Sequence, residues 1–326
     1  MTTPTSLVGN AGSPGARWVR VALQINPFAY VGKNAPSTKF PNEAAYNAAL
    51  VAELTKLGVG LIAITDHWRA QTARGLITAC DCAGIVALPG FEANSSEGIH
   101  LLVVFPQDTH PGAVDAAIGG CGGTPQGTPG TPGRPFTDMV TEMTRRGALV
   151  IAAHANTESG LLGRLSGLPQ AAMWRHEDLA AVAISPGVPL APADQTVLDN
   201  LSPDYKRAHP LAVIHADDIC HPARLPTDGA TSWVKMSVSS LASLRVALRT
   251  PVTRVRTTDP TSVAHPSIKE IRWEGGFLGD LRLPLSESLT ALIGGAGPAS
   301  PPLWRACATF WTYRPLACER RQITLS

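Results

Sequence analysis

The chain has 326 residues, of which 44% are hydrophobic and 16% are charged, and its formal net charge is +2. This length is sufficient for one large α/β domain together with a smaller segment. The small net charge gives no indication of a nucleic-acid or membrane surface, and no apolar run reaches the length of a membrane span. We therefore expect no membrane association.

Cysteine usage and the amino terminus predict the cellular compartment. The six cysteines are scattered without a paired framework, and no basic segment followed by an apolar stretch begins the chain. These features favour a reducing, cytoplasmic environment. Cys80-Asp81-Cys82 has one intervening residue and no partner pair, which makes it a weak zinc-ribbon signal. Residues 1–17 are rich in Thr, Pro, Ser and Gly and are expected to form a disordered tail.

The first predicted elements form a strand–helix–strand unit. Apolar residues alternate over residues 18–23, which predicts a strand. Asn42 is a candidate N-cap for an amphipathic helix that Gly58 ends. The apolar run that follows predicts a buried parallel strand, and Asp66, His67 and Trp68 stand at its carboxyl end.

Strands and helices continue to alternate downstream. We predict strands over residues 85–92, 99–105, 148–154, 179–184, 211–218 and 232–236. Helices are predicted over residues 69–83, 135–146 and 240–248, with a mobile Gly/Pro-rich loop over 110–135 and an irregular stretch from 155 to about 174. About seven or eight strand and helix repeats favour a distorted α/β barrel over an open sheet.

Four predicted strands end in residue types that bind metal ions. These residues are Asp66, His67, Glu92, His154 and Asp218. One such residue alone is more often a cap or a turn residue, but the carboxyl ends of barrel strands share one side of the fold. Their recurrence therefore predicts one polar site, with a metal centre as the leading explanation. His100 lies inside an apolar run, and both a ligand and a hydrogen-bonded core histidine are open interpretations.

In order and context, these motifs resemble those of PHP (polymerase and histidinol phosphatase) domains across residues 18–250. The motifs are Ile64-Thr65-Asp66-His67, Pro89-Gly90-Phe91-Glu92, Gly98-Ile99-His100, Ala152-Ala153-His154 and His215-Ala216-Asp217-Asp218. The resemblance implies a distorted (β/α)7 barrel that binds two or three divalent metals and hydrolyses phosphoesters. It implies catalytic roles for Asp66, His67 and Glu92. It implies a ligand set of Asp66, His67, Glu92, His100, His154, Asp218 and Cys220.

Two positions depart from the family pattern. The first motif should be His-x-His, but Gln24-Ile25-Asn26 stands there, and amides are poor ligands for zinc-like ions. The last motif should be Asp-x-His, and Cys220 occupies the histidine position, where a thiolate could still bind zinc.

Two hypotheses follow from these departures. One is a phosphoesterase that loss of the first motif impairs, and the other is an inactive barrel that serves as a binding or scaffold module or is a gene remnant. The expected cofactor is a divalent metal at reduced occupancy, Mn or Zn with Fe or Mg as alternatives. Candidate substrates are a phosphorylated small molecule and a nucleic-acid phosphoester. Arg164 and Lys235 are candidate phosphate contacts, with solvated or ion-paired surface residues as the alternative interpretation.

Residues 251–326 are similar to the start of the ATPase domain that follows the PHP domain in TrlF-like proteins. Trp233-Val234-Lys235-Met236, Gly275-Gly276-Phe277-Leu278 and the strand leading to Gly295 carry this similarity. The relatives continue into a phosphate loop, whereas residues 298–302 of this chain read Pro-Ala-Ser-Pro-Pro and lack its lysine. We therefore expect no ATP binding, and a truncation or frameshift would explain the difference.

Overall fold

The computed structural model describes residues 15–32, 34–261, 268–275, 279, 281–286 and 290. Most of the predicted disordered tail and all of residues 298–302 lie outside the described residues, so those two predictions stand as predictions. Contacts divide the chain into two units, and the larger one is Trp18–Thr261. Within the described ranges, no helix combines the length and the apolar character needed to cross a bilayer.

The first nine strands and all the α-helices of the described residues lie in the larger unit, and the last two strands lie in the smaller one. The strands are β1 (Arg17–Ile25), β2 (Val59–His67), β3 (Val86–Asn94), β4 (His100–Val104), β5 (Leu149–Ala152), β6 (Ala181–Ala183), β7 (Ala212–Ile214), β8 (Ser232–Met236), β9 (Val255–Arg256), β10 (Glu270–Arg272) and β11 (Arg282–Pro284). The helices are α1 (Glu43–Lys56), α2 (Arg74–Cys82), α3 (Pro111–Gly120), α4 (Phe136–Arg145), α5 (Leu161–Arg164), α6 (Gly167–Trp174), α7 (Pro192–Leu198), α8 (Leu241–Arg249) and α9 (Pro251–Arg254).

Nine strands form one mixed sheet in the order β7-β6-β5-β4-β3-β2-β1-β8-β9. β1, β2 and β3 are parallel, β4 runs antiparallel to both of its neighbours, and β5, β6 and β7 are again parallel. The two edge strands approach each other, with Cα atoms of β7 within 8 Å of Cα atoms of β9. The sheet is therefore nearly closed, which confirms the predicted distorted α/β barrel. In the smaller unit, β10 and β11 form an antiparallel pair.

Side chains alternate between the inside and the outside of the barrel. In β2, Leu61 and Ala63 join an interior cluster, whereas Ile62 and Ile64 pack in an outer cluster with residues of α1 and α2. The interior cluster receives residues from β1 through β8 and from α8. The period of two along a strand thus decides which polar residues at a strand end face the barrel interior.

Several predicted element ends are confirmed by specific contacts. Asn42 caps α1, because its Oδ1 accepts a hydrogen bond from Ala45 N at 2.9 Å. Gly58 follows that helix with a φ of +67°, a conformation that glycine adopts without steric clash because it has no Cβ atom. The strand predicted over residues 232–236 is β8.

Other predicted boundaries were wrong. The first third of the predicted loop 110–135 is α3, in which Pro111 stands at the first turn and His110 Nδ1 accepts from Gly112 N at 3.1 Å. The predicted irregular stretch contains α5 and α6. The helix predicted from residue 69 begins only at Arg74, after a single 3-10 turn. In the first two cases helices form despite a composition that predicted loops, whereas in the third the predicted helix is shorter than expected.

Candidate metal centre

The alternation of the strands brings three polar side chains to one mouth of the barrel. His67 shares the interior face of β2 with Leu61 and Ala63, and it pairs in register with Glu92 of β3. His100 begins β4, which runs in the opposite direction, and it shares the interior face with Leu102. The mouth therefore receives the carboxyl ends of parallel strands and the amino end of β4.

Glu92 lies at the centre of a histidine cluster and is 2% exposed. Its Oε1 is 2.7 Å from His100 Nδ1 and 4.0 Å from His154 Nε2, and the two imidazole nitrogens are 3.2 Å apart. His67 Nδ1 lies 3.7 Å from the other carboxylate oxygen, Oε2. His154 approaches from the end of β5 with a φ of +30°, a conformation that a non-glycine residue adopts only where its surroundings impose it.

The donor set of Glu92, His100 and His154 fits a metal ion. Two ligands that are each about 2.1 Å from one ion lie roughly 3.0–3.4 Å apart in tetrahedral or octahedral geometry. The three ligand atoms, separated by 2.7, 3.2 and 4.0 Å, bracket that spacing. Without an ion, His100 Nδ1 faces both an anionic oxygen and a second imidazole nitrogen, and its one proton cannot satisfy both.

The charges of this cluster stabilise one another. Burial raises the pKa of Glu92, but His67, His100 and His154 outweigh it and bring that pKa to about 2. Burial lowers the pKa of His100, but its hydrogen bond to Glu92 outweighs this and the net pKa is raised. His154 shows the opposite result, because burial dominates and lowers its pKa. Glu92 is thus an anion, and His154 is a neutral imidazole suited to ligation.

A second polar group forms where the chain after β7 pairs with the end of β1. Ile219 N donates to Gln24 O and Asn26 N donates to Ile219 O, both at 3.0 Å. This bridge places Asp218 and Cys220 on either side of Asn26. Asn26 Nδ2 donates to Asp218 Oδ1, and it also lies 3.1 Å from Cys220 Sγ.

Among the described residues, this second group does not supply three metal donors close together as the first group does. The Asn26 amide nitrogen lies between the carboxylate and the thiol and already satisfies both. Burial, followed by repulsion from Glu92, raises the pKa of Asp218 to about 6, and burial and Asp218 raise the pKa of Cys220 to about 12. Asn26 Oδ1 is buried without a partner, so this arrangement is not fully satisfied.

Asp66 is buried at the end of β2, on the strand position next to His67. Because neighbouring positions of a strand face opposite sides, its carboxylate points away from the histidine cluster. Thr72 Oγ1 donates to Asp66 Oδ2 at 3.0 Å, whereas Asp66 Oδ1 has no partner. Burial outweighs the Thr72 hydrogen bond and raises the pKa of Asp66.

The sequence interpretation missed Tyr30, whose ring stacks on His67 with centroids 5.8 Å apart. Burial, followed by the nearby acids Asp218, Cys220, Glu92 and Asp66, raises its pKa. A protonated phenol therefore borders the site. The signal was its position four residues after Asn26, on the same strand-end segment as the altered first motif.

Trp68 turns the chain immediately after His67. It has a φ of +52°, its ring is fully buried, and its Nε1 donates to Thr131 O at 3.0 Å. Gln126 N donates to Trp68 O at 3.0 Å, so hydrogen bonds tie the Gly/Pro-rich segment 121–135 to the site. The surface loop predicted as mobile is thus anchored by Trp68.

The other predicted contacts lie outside the cluster. Lys235 is on the outer face of β8, with its Nζ 5.3 Å from the centre of the Trp18 ring. Arg164 is exposed, and its Nε donates to Glu97 O at 3.1 Å. Cys80 is buried and Cys82 is exposed, so this pair does not converge on one ion.

Comparison with known proteins found similar solved structures only. No family model and no curated protein matches the chain. A two-domain protein from Bacteroides vulgatus containing a predicted PHP-like metal-dependent phosphoesterase is 14% identical, with a TM-score of 0.49, over 78% of this chain and 68% of that one. The lesion-specific endonuclease EndoQ from Pyrococcus furiosus is 13% identical, with a TM-score of 0.44, over 72% and 56% of the two chains. PsfC from Pseudomonas syringae is 13% identical, with a TM-score of 0.43, over 71% and 88%.

Proposed function

We propose that this chain is a PHP-like metal-dependent phosphoesterase that holds a single divalent ion. Glu92, His100 and His154 would hold the ion, with His67 beside it. The observation that carries the proposal is the approach of these three ligand atoms to within 4.0 Å of one another at a barrel mouth. When bound, a divalent ion supplies Lewis-acid polarisation of a phosphoryl oxygen. Imidazole and carboxylate donors suit manganese, zinc or iron.

The residues of the chain have distinct parts in this proposal. Glu92 and His100 offer the ion two ligand atoms, Oε1 and Nδ1, that lie 2.7 Å apart. The raised pKa of Tyr30 keeps its hydroxyl protonated, so that it can donate a hydrogen bond to a substrate oxygen. Candidate substrates are a phosphorylated small molecule and a nucleic-acid phosphoester.

The Gln24 and Asn26 amides support a count of one ion rather than two or three. Gln24 Nε2 donates to Glu92 Oε2 at 3.0 Å, so this carboxylate oxygen already has a hydrogen-bond donor. Asn26 occupies the space between Asp218 and Cys220. We infer that loss of the first motif impairs catalysis, because a second ion can neutralise charge on the opposite oxygen.

The experiment is metal analysis of the purified protein after incubation with manganese or zinc, beside thermal unfolding and hydrolysis of a generic phosphoester. Wild type should hold close to one ion per chain and be stabilised by it. Glu92→Gln should lose both effects, whereas Glu177→Gln, at an exposed glutamate, should keep them.

A second candidate function is a catalytically inactive barrel that serves as a binding or scaffold module. The hydrogen bonds of Asn26 favour it, since they satisfy Asp218 without a metal. Wild-type protein that binds no metal and hydrolyses no phosphoester would support this alternative.

The proposed ATPase relationship of residues 251–326 is tested separately by titration with a fluorescent nucleotide, for which we expect no saturable binding.

A further inference from the structure

A cavity lies between the chain that follows His67 and the segment that Trp68 anchors. Its volume is about 350 Å³, and it is lined by residues 69–72, Asp115 and residues 125–126. The left-handed turn at Trp68 separates the two sites, because it sends His67 toward the barrel mouth and Arg69 toward this cavity.

Arg69 has donors that the described part of the chain leaves unused. Its Nε is buried and has no hydrogen-bond partner. Its Nη1 makes one long contact of 3.4 Å to Ala29 O. Within the described residues, no carboxylate oxygen lies within 4.0 Å of the guanidinium group. A buried guanidinium donor without an acceptor is costly, so this position favours a ligand that brings one.

The two acidic groups near Arg69 accept hydrogen bonds from other side chains. Asp66 accepts from Thr72, and Asp115 Oδ2 accepts from Gln71 Nε2 at 2.8 Å. The charge of Arg69 also favours the ionised form of Asp66, but without an ion-pair contact between them the guanidinium donors can still bind an anion. Guanidinium groups bind phosphoryl and carboxylate oxygens through two parallel hydrogen bonds, which the planar fork of Arg69 can offer.

Two chain connections link the cavity to the metal centre. Arg69, which lines the cavity, follows His67 by two residues. Ala29, whose carbonyl oxygen accepts from Arg69 Nη1, precedes Tyr30, and the ring of Tyr30 stacks on His67.

We propose that this cavity is an oxyanion subsite in which Arg69 holds a phosphoryl group of the substrate beside the metal centre. The inference rests on the proposed function, but its binding step requires no metal. Arg69 is a specificity-determining residue in this arrangement, and the amide of Gln126 borders the same ligand.

The test measures binding of inorganic phosphate to protein freed of metal with EDTA, at pH 8, by thermal shift and by ³¹P line broadening. Chloride at matched ionic strength is the reference. Arg69→Ala should weaken phosphate binding about 10- to 100-fold, as expected for loss of a charged hydrogen bond. Arg69→Lys keeps the positive charge but lacks the planar guanidinium group, and it should weaken phosphate binding less than Arg69→Ala does. Arg74→Ala, at an exposed arginine five residues away, should bind phosphate like wild type.

Each outcome decides the inference separately from the metal proposal. Phosphate binding that Arg69→Ala and Arg69→Lys leave unchanged would overturn the subsite, and so would stabilisation by chloride equal to that by phosphate. Metal content of Arg69→Ala should equal that of wild type, so loss of phosphate binding at full metal content supports the subsite. A wild type that binds phosphate through Arg69 but no metal would refute the phosphoesterase proposal and retain the subsite.

Discussion

Gln24 Nε2 donates to Glu92 Oε2 at 3.0 Å, on the carboxylate oxygen opposite the one that His100 contacts. The two oxygens of the buried Glu92 carboxylate thus contact different partners. One faces the imidazoles of the proposed ion site, and the other is held by an amide that cannot ligate as an imidazole does. This single hydrogen bond defines the boundary of the proposed one-ion site.

Restoring imidazoles at the first motif should restore a second ion. We expect the double variant Gln24→His with Asn26→His to bind more than one manganese or zinc ion per chain and to hydrolyse a generic phosphoester faster than wild type. Two nitrogen donors would then replace the amides that now face Glu92 and Asp218. Metal analysis and a steady-state assay measure both effects. Cys220→His alone should change neither, and a rise in activity with that variant alone would locate the defect at the Asp218 end.

Asp66 should contribute to stability through Thr72. Thr72→Val removes the hydroxyl that donates to Asp66 Oδ2, so this buried carboxylate loses its side-chain hydrogen-bond donor. We expect the free energy of unfolding in urea to fall by about 1–3 kcal/mol, with the metal content unchanged. Thr78→Val on the exposed face of α2 is the matched control and should shift stability by less than about 0.5 kcal/mol. A loss of bound metal in Thr72→Val would instead place Asp66 in the metal site.

The packing of Trp68 should make Gly123 intolerant of a side chain. A Cβ at Gly123 would lie less than 3.0 Å from three atoms of the Trp68 ring, so Gly123→Ala should destabilise the protein by about 1–3 kcal/mol. Gly119 in α3 has no atom within 4 Å of an added Cβ, and Gly119→Ala should stabilise by up to about 1 kcal/mol. Denaturant unfolding of both variants checks the pair. Equal stabilities of the Gly123→Ala and Gly119→Ala variants would mean that the segment 121–135 does not pack against Trp68.

Cysteine reactivity should separate Cys82 from its neighbours. Burial raises the pKa of Cys80 and of Cys121 to about 12, with Asp81 adding to the effect at Cys80, and both are fully buried. Iodoacetamide at pH 8 should therefore alkylate the exposed Cys82 before Cys80 and Cys121, as measured by peptide mass spectrometry. All three should react alike in guanidinium chloride. Alkylation of Cys80 or Cys121 at the rate of Cys82 in native protein would reveal local opening of α2 or of the segment after α3.

Apolar patterning was sufficient to predict the barrel and most of the strands that carry the site. It could not separate Asp66 from His67, because the two adjacent residues end one apolar run and only the inward register of β2 assigns them to opposite sides. His100 was ambiguous for a related reason. It lies near the start of its apolar run, which places it at the mouth only because β4 is antiparallel.

Local sequence patterns could not predict backbone pairing between distant segments. The bridge between Ile219 and the end of β1 joins segments that local sequence does not connect, and it alone explains how Asn26 meets Asp218 and Cys220. A register shift in β1 between Ala22 and Ile25 further changes which side chains face inward. Tyr30 and Arg69 were likewise identified only by their contacts.

The hairpin of β3 and β4 has a consequence for folding kinetics. Glu92 and His100 are eight residues apart in sequence, whereas His154 follows His100 by 54 residues. Closing a loop of about ten residues takes about 10–100 ns, and a hairpin forms in about 1–10 μs. Two of the three proposed ligands can therefore meet while the rest of the barrel is still unfolded. A nascent chain that has emerged only as far as β4 would already present a carboxylate and an imidazole to an ion, before the strand that carries His154 has been synthesised.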